Sequence, residues 1–190
     1  EHEGRALVAR ARPASDLPRT LAEFDAWHAR QPERWEFLHG SAVMMAPASN
    51  AHSLIKTNLG RLLGNALRGS PCRVFVDGPQ VRTADVSAIP DVVVACGEID
   101  MRQGIVEEPK LIVEVSSRST ERDDTGVKWR AYCLMPSLQH YLVVDPATKS
   151  LVHHHRANDG TVQNVTTSGG TLRLDPPGLD LSVDLMFEGA

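Results

Sequence analysis

A carboxylate inside an apolar strand is costly to bury unless a partner or a cation compensates it. This chain has two. Asp91 opens the run Pro90-Asp91-Val92-Val93-Val94-Ala95, and Glu114 interrupts Leu111-Ile112-Val113-Glu114-Val115-Ser116. Both runs are hydrophobic enough to form buried strands. Within about 4–6 Å of each other, two acids hinder one another's ionisation and one pKa rises. With a hard divalent ion between them, both can ionise and ligate through oxygen. Asp91 and Glu114 are therefore the candidate ligands for Mg²⁺ or Mn²⁺. An ion held this way orients water, polarises a phosphate oxygen and stabilises a leaving alkoxide.

An ammonium beside such a pair would stabilise developing negative charge or assist the attacking water. Lys128 is the candidate, with Asp124 and Tyr132 four residues to either side on one helical face. The plainer alternative is an exposed lysine paired with Asp124. Glu36 is a third acid in a half-apolar strand, with a hairpin salt bridge as its structural alternative. His52 stands near the start of a helix, from which it could reach a strand mouth or simply cap the helix. Arg118, Arg122 and Arg130 are candidates for phosphate contact. Ser116 or Ser117 with His52 would suit a serine hydrolase, but no nucleophile elbow accompanies them.

The elements that must position these residues follow from periodicity. Thr20 to Glu23 fits a capping box, with a helix ending before Pro32. Residues 35–45 read as a hairpin turning at His39-Gly40. Leu54, Ile55, Leu59, Leu62, Leu63 and Leu67 recur at helical spacing, with Gly69 as terminator. Residues 72–82 alternate as a strand broken at Asp77-Gly78-Pro79. Residues 85–88 read as a polar link, and 97–108 as a charged loop. Parity puts Leu111, Val113 and Val115 on one face and Ile112, Glu114 and Ser116 on the other. A third helix spans about 121–134, capped by Thr120 or a nearby Ser. Tyr141 to Val144 is a buried strand. Residues 150–166 form a hairpin around Asn158-Asp159-Gly160, with His153 to His155 on a solvated strand face. The segment 179–187 seals one edge of the sheet. The order implies an α+β or mixed α/β fold, a central sheet flanked by helices.

Composition narrows the partners. At 190 residues with net charge −4, the chain is no generally basic nucleic-acid coat. If DNA is the partner, the basic surface is local. Cys72, Cys96 and Cys133 are odd in number and widely spaced, which argues against a disulfide framework or zinc cluster. That usage, a polar start without a secretory pattern and no membrane-length apolar run lead us to expect a cytoplasmic protein with no membrane segment.

Taken together, these pieces resemble the Uma-two family of the PD-(D/E)XK nuclease superfamily. The resemblance runs from about Trp35 to Phe187. It is carried by Trp35-Glu36-Phe37-Leu38-His39-Gly40, His52, Pro90-Asp91-Val92-Val93-Val94, the Glu114 strand, Ser119-Thr120 with Asp124, Lys128 and Tyr132, and Tyr141 to Pro146. It implies one restriction-endonuclease-like domain over residues 20–190, behind an arm at 1–19. It implies a Mg²⁺- or Mn²⁺-dependent endonuclease acting on DNA, with Asp91 and Glu114 as ligands and Lys128 as the catalytic amine. Glu36, His52, Ser116 and Asp124 would be ancillary. Ser116 stands where the wider superfamily has its lysine, and the family supplies the amine from the next helix. A homodimer would suit double-strand cleavage. The alternative is a non-catalytic nucleic-acid or protein binding module on the same scaffold.

Overall fold

The computed structural model describes residues 16–116 and 123–190. A six-stranded mixed sheet carries both acidic strands. Its members are β3 (Cys72–Val76), β6 (Val92–Cys96), β8 (Pro109–Val115), β9 (His140–Asp145), β10 (Ser150–Arg156) and β11 (Val162–Thr167), in the order β11-β10-β9-β8-β6-β3. A five-stranded sheet lies against one face. It comprises β1 (Trp35–Leu38), β2 (Ser41–Met44), β4 (Gln80–Arg82), β5 (Val86–Ala88) and β7 (Ile105–Val106), in the order β2-β1-β5-β4-β7.

Strand parity sorts the large sheet into two cores. Leu111, Val113 and Val115 pack with Ile55, Leu59 and Leu63 of α2 (Asn50–Ala66). Ile112 and Val93 point the other way, towards Leu38, Val81 and Val86 of the smaller sheet and Tyr132 of α3 (Asp123–Tyr132). Glu114 shares the second face by its even number. β8 and β9 are parallel, so the chain must cross over between them, and α3 does so. That crossover places α3 beside the strand that bears Glu114.

Local chemistry sets the element ends. Thr20 and Glu23 close the capping box of α1 (Leu21–His28). Ser49 caps α2 by accepting from the His52 N–H. The β1–β2 turn puts His39 at φ 44° and Gly40 at φ 82°, the paired positive values a tight hairpin demands.

Several expectations are corrected. Residues 86–88 form β5, whose Ser87 is fully buried and donates to Gln80 Oε1 at 2.9 Å. The loop at 97–108 contains β7, parallel to β4. β13 (Leu179–Ser182) pairs with β12 (Thr171–Leu174) as a separate two-stranded sheet instead of sealing an edge. Together with α4 (Val183–Met186) it covers the α2 side of the core. Cys72 and Cys96 form a disulfide, because the β3–β6 register sets them directly opposite. The cysteines therefore lend no support to a reducing compartment. The histidine run is no solvated face. His153 is buried against His140, with ring nitrogens 2.9 Å apart, and His154 stacks on Trp129. Burial holds both His140 and His153 down to about 4, neutral at physiological pH. Among the described residues, no helix is long and apolar enough to cross a membrane.

Candidate active site

The antiparallel β6–β8 register pairs Val92 with Val113. One step further along that ladder, Asp91 faces Glu114. Pro90 precedes the strand and gives up no ladder donor there. The two acids, 23 residues apart in the chain, thus meet at one strand mouth. A cleft of about 100 Å³ opens above them at the seam of the two sheets, and Glu36, His52, Asp91, Glu114 and Lys128 all line it.

Each side chain comes from a different element. Glu36 stands on β1 and accepts from the Ile89 N–H at 2.8 Å and from Lys128 Nζ at 3.0 Å. Lys128 also lies 3.3 Å from Glu114 Oε1 and 3.4 Å from Oε2. Its ammonium bridges two buried acids, so the exposed-lysine alternative does not hold; Lys128 is 7% exposed. Asp91 Oδ2 accepts from the Val115 N–H at 2.7 Å. Its Oδ1 lies 2.8 Å from His52 Nε2, and a carboxylate only accepts, so Nε2 carries the hydrogen.

Electrostatics separate the two strand acids. Burial pushes Asp91 up, but the His52 contact, the Val115 amide and the nearby Lys56 charge outweigh it and hold it below the usual carboxylate range. Burial pushes Glu114 up to about 8; Lys128 opposes this, while the charges of Asp91 and Glu36 reinforce it. Burial pulls Lys128 down, but Glu114 and Glu36 win and hold it firmly protonated. Burial and the Glu114 charge likewise raise Tyr132, the next turn of the helix. At neutral pH the site holds ionised Asp91, a cationic Lys128 and a proton on Glu114.

That proton has a measurable consequence. Glu114 titrates at about 8 when folded and near 4.5 otherwise, so the folded state holds the extra proton between those values. Stability must then fall as pH rises from about 4.5 to about 8, and flatten above. Urea midpoints in the presence of EDTA should show this slope in wild type and lose it in Glu114→Gln. Parallel profiles for the two proteins would contradict the assignment.

Other candidates fare differently. Ser116 is half-buried beyond the cleft, its N–H donating to Val144 O at 2.7 Å. Arg130 is exposed and donates to Gly126 O. Ser117, Thr120, Arg118, Arg122 and the Asp124 side chain lie outside the described residues. Lys56 was not singled out from the sequence, yet it is buried and its Nζ lies 3.4 Å from Asp91 Oδ1. The available signal was its place one helical turn after His52, which sets both on one face of α2.

Among the described residues, no group of three or more His, Cys, Asp or Glu side chains is arranged to hold a metal ion. A two-carboxylate donor set still suits Mg²⁺, which usually keeps several waters and binds through one or two carboxylates plus substrate phosphates. The buried Glu114 Oε1 accepts no hydrogen bond, although the Lys128 ammonium lies 3.3 Å away, so it can still offer a hard oxygen donor. The residues present therefore fit such an ion.

The fold is one of mixed sheets flanked by helices. A solved crystal structure described as a putative nuclease from Anabaena variabilis shares it, with a TM-score of 0.72, 19% identity, and coverage of 90% of this chain and 98% of that one. Residues 21–186 match the Uma2 family model, described as "Putative restriction endonuclease", and the chain belongs to that family. Two uncharacterized proteins of Synechocystis sp. are similar. One is 32% identical over 93% of this chain and 96% of its own length. The other is 31% identical over 74% of this chain and 82% of its own.

Proposed function

We propose that the protein is a Mg²⁺- or Mn²⁺-dependent endonuclease that hydrolyses DNA phosphodiester bonds. The observation that carries this is the convergence of Asp91, Glu114 and Lys128, from two strands and a crossover helix, at one cleft. Asp91 and Glu114 would hold the ion. Bound there, Mg²⁺ or Mn²⁺ supplies a water of lowered pKa and charge stabilisation at the phosphate.

The chain's own groups do the rest. Glu114 would hold the ion as a carboxylate, its proton passing to bulk water. Asp91 is already ionised and fixed by the Val115 amide and His52. Glu36 anchors the Lys128 ammonium at 3.0 Å and keeps it in the cleft. From there Lys128 stabilises the negative charge that grows on the phosphate. The departure at Ser116 costs the site no amine, because α3 delivers one to the same acid. This favours the nuclease over the binding module that shares its scaffold.

The test is direct. Supercoiled plasmid incubated with the protein and Mn²⁺ should be nicked or linearised, and EDTA should stop the reaction. Plasmid left intact at enzyme excess, with Mg²⁺ and with Mn²⁺, would refute the assignment.

A further inference from the structure

Lys56 lies one turn after His52 on α2 and is 7% exposed. Its ammonium touches two carboxylates, Asp77 Oδ2 at 2.7 Å and Asp91 Oδ1 at 3.4 Å. Asp77 follows β3 at φ 51°, and its N–H donates to the Asp91 carbonyl at 3.0 Å. Arg34 donates to the Asp77 carbonyl at 3.2 Å. Asp91 is thus held through its main chain and its side chain by one closed ring of contacts.

An ionised carboxylate offers about four acceptor positions. On Asp91 hydrogen bonds take one on each oxygen, from His52 on Oδ1 and from the Val115 N–H on Oδ2, and the Lys56 ammonium stands 3.4 Å from Oδ1 as an ion pair, where it repels a second cation. The direction that stays clear of that charge is on Oδ2. We propose that Lys56 is a positioning residue that limits Asp91 to one open coordination position and thereby sets which divalent ion the site accepts. The proposal rests on Asp91 being a metal ligand. Mg²⁺ demands near-octahedral geometry, whereas Ca²⁺ takes six to eight oxygens and often binds a carboxylate through both. With Oδ1 occupied, two-oxygen binding by Asp91 is denied. The site therefore favours the small ion class, Mg²⁺ and Mn²⁺, over Ca²⁺.

The test is calorimetric binding of Mn²⁺ and of Ca²⁺ to wild type, Lys56→Met and Lys56→Arg, without DNA. Loss of a nearby ammonium strengthens both dications alike, so their affinity ratio isolates the coordination effect. Wild type should prefer Mn²⁺. Lys56→Met should shift the ratio towards Ca²⁺ by about tenfold, the lower end for a residue supporting a metal ligand. Lys56→Arg, which keeps a cation beside Asp91, should keep the wild-type ratio. Should Lys56→Met fail to fold by thermal melting, Lys56→Gln carries the same expectation with a polar side chain in place. An unchanged ratio in the folded neutral variant, or a wild type that prefers Ca²⁺, overturns the role of Lys56 and leaves the nuclease assignment standing. Wild type that binds neither ion removes the metal site, and both proposals fall.

Discussion

Asp91→Asn and Glu114→Gln are each expected to cut Mn²⁺-dependent plasmid cleavage by at least about a hundredfold. Metal-borne charge stabilisation is worth several kcal/mol, and each 1.4 kcal/mol is about a factor of ten in rate. Both substitutions keep shape and remove a charged oxygen donor. Their effects on stability should differ in sign, which separates chemistry from folding. Glu114 is pushed up by burial, so Gln in its place relieves that cost at pH 7 and above. Asp91 is pulled down by His52, the Val115 amide and Lys56, so Asn leaves the buried Lys56 ammonium without this counter-charge and lowers the melting temperature. Cleavage that survives in both variants would remove these residues from the site.

Lys128→Met is expected to destabilise the fold by about 3–5 kcal/mol, the usual cost of breaking a buried charge pair by removing one partner. Lys128 is bonded to Glu36 at 3.0 Å and bridges it to Glu114, both of them buried. Without the ammonium, two acids share one pocket and at least one must hold a proton. The loss should therefore grow as pH rises above about 8, where Glu114 ionises in the wild type. In a protein of this size, a loss of that order lowers the melting temperature by roughly 6–20 °C. Adding Glu36→Gln to Lys128→Met should recover part of it, since the pair is coupled. A loss below about 1 kcal/mol would mean that the lysine behaves as a solvated surface pair.

Much of this architecture could be read from residue order. The apolar runs announced β6 and β8, and parity put Ile112 and Glu114 on one face, opposite Val113 and the α2 core. Thr20 and His39-Gly40 marked element ends because caps and tight turns demand particular side chains and φ values. Three features were hidden for a shared reason: each depends on register between distant strands. Cys72 meets Cys96 only because β3 and β6 pair in that alignment. His153 meets His140 only through the packing of β9 against β10. Residues 86–88 are too short to declare a strand alone and become one by pairing with β1 and β4, where Gln80 satisfies the buried Ser87 hydroxyl. Lys56 escaped notice because a lysine on an amphipathic helix usually faces water. Here Asp77 and Asp91, 21 and 35 residues further on, bring it inside.

A crystal soaked in Mn²⁺ and measured at the manganese edge tests whether Asp91 and Glu114 hold a divalent ion. An anomalous peak is expected between the carboxylates of Asp91 and Glu114, with the Lys128 ammonium alongside. A peak confined to the acidic loop that carries Glu98, Asp100, Glu107 and Glu108, or no peak at any soaking concentration the crystals survive, would contradict it.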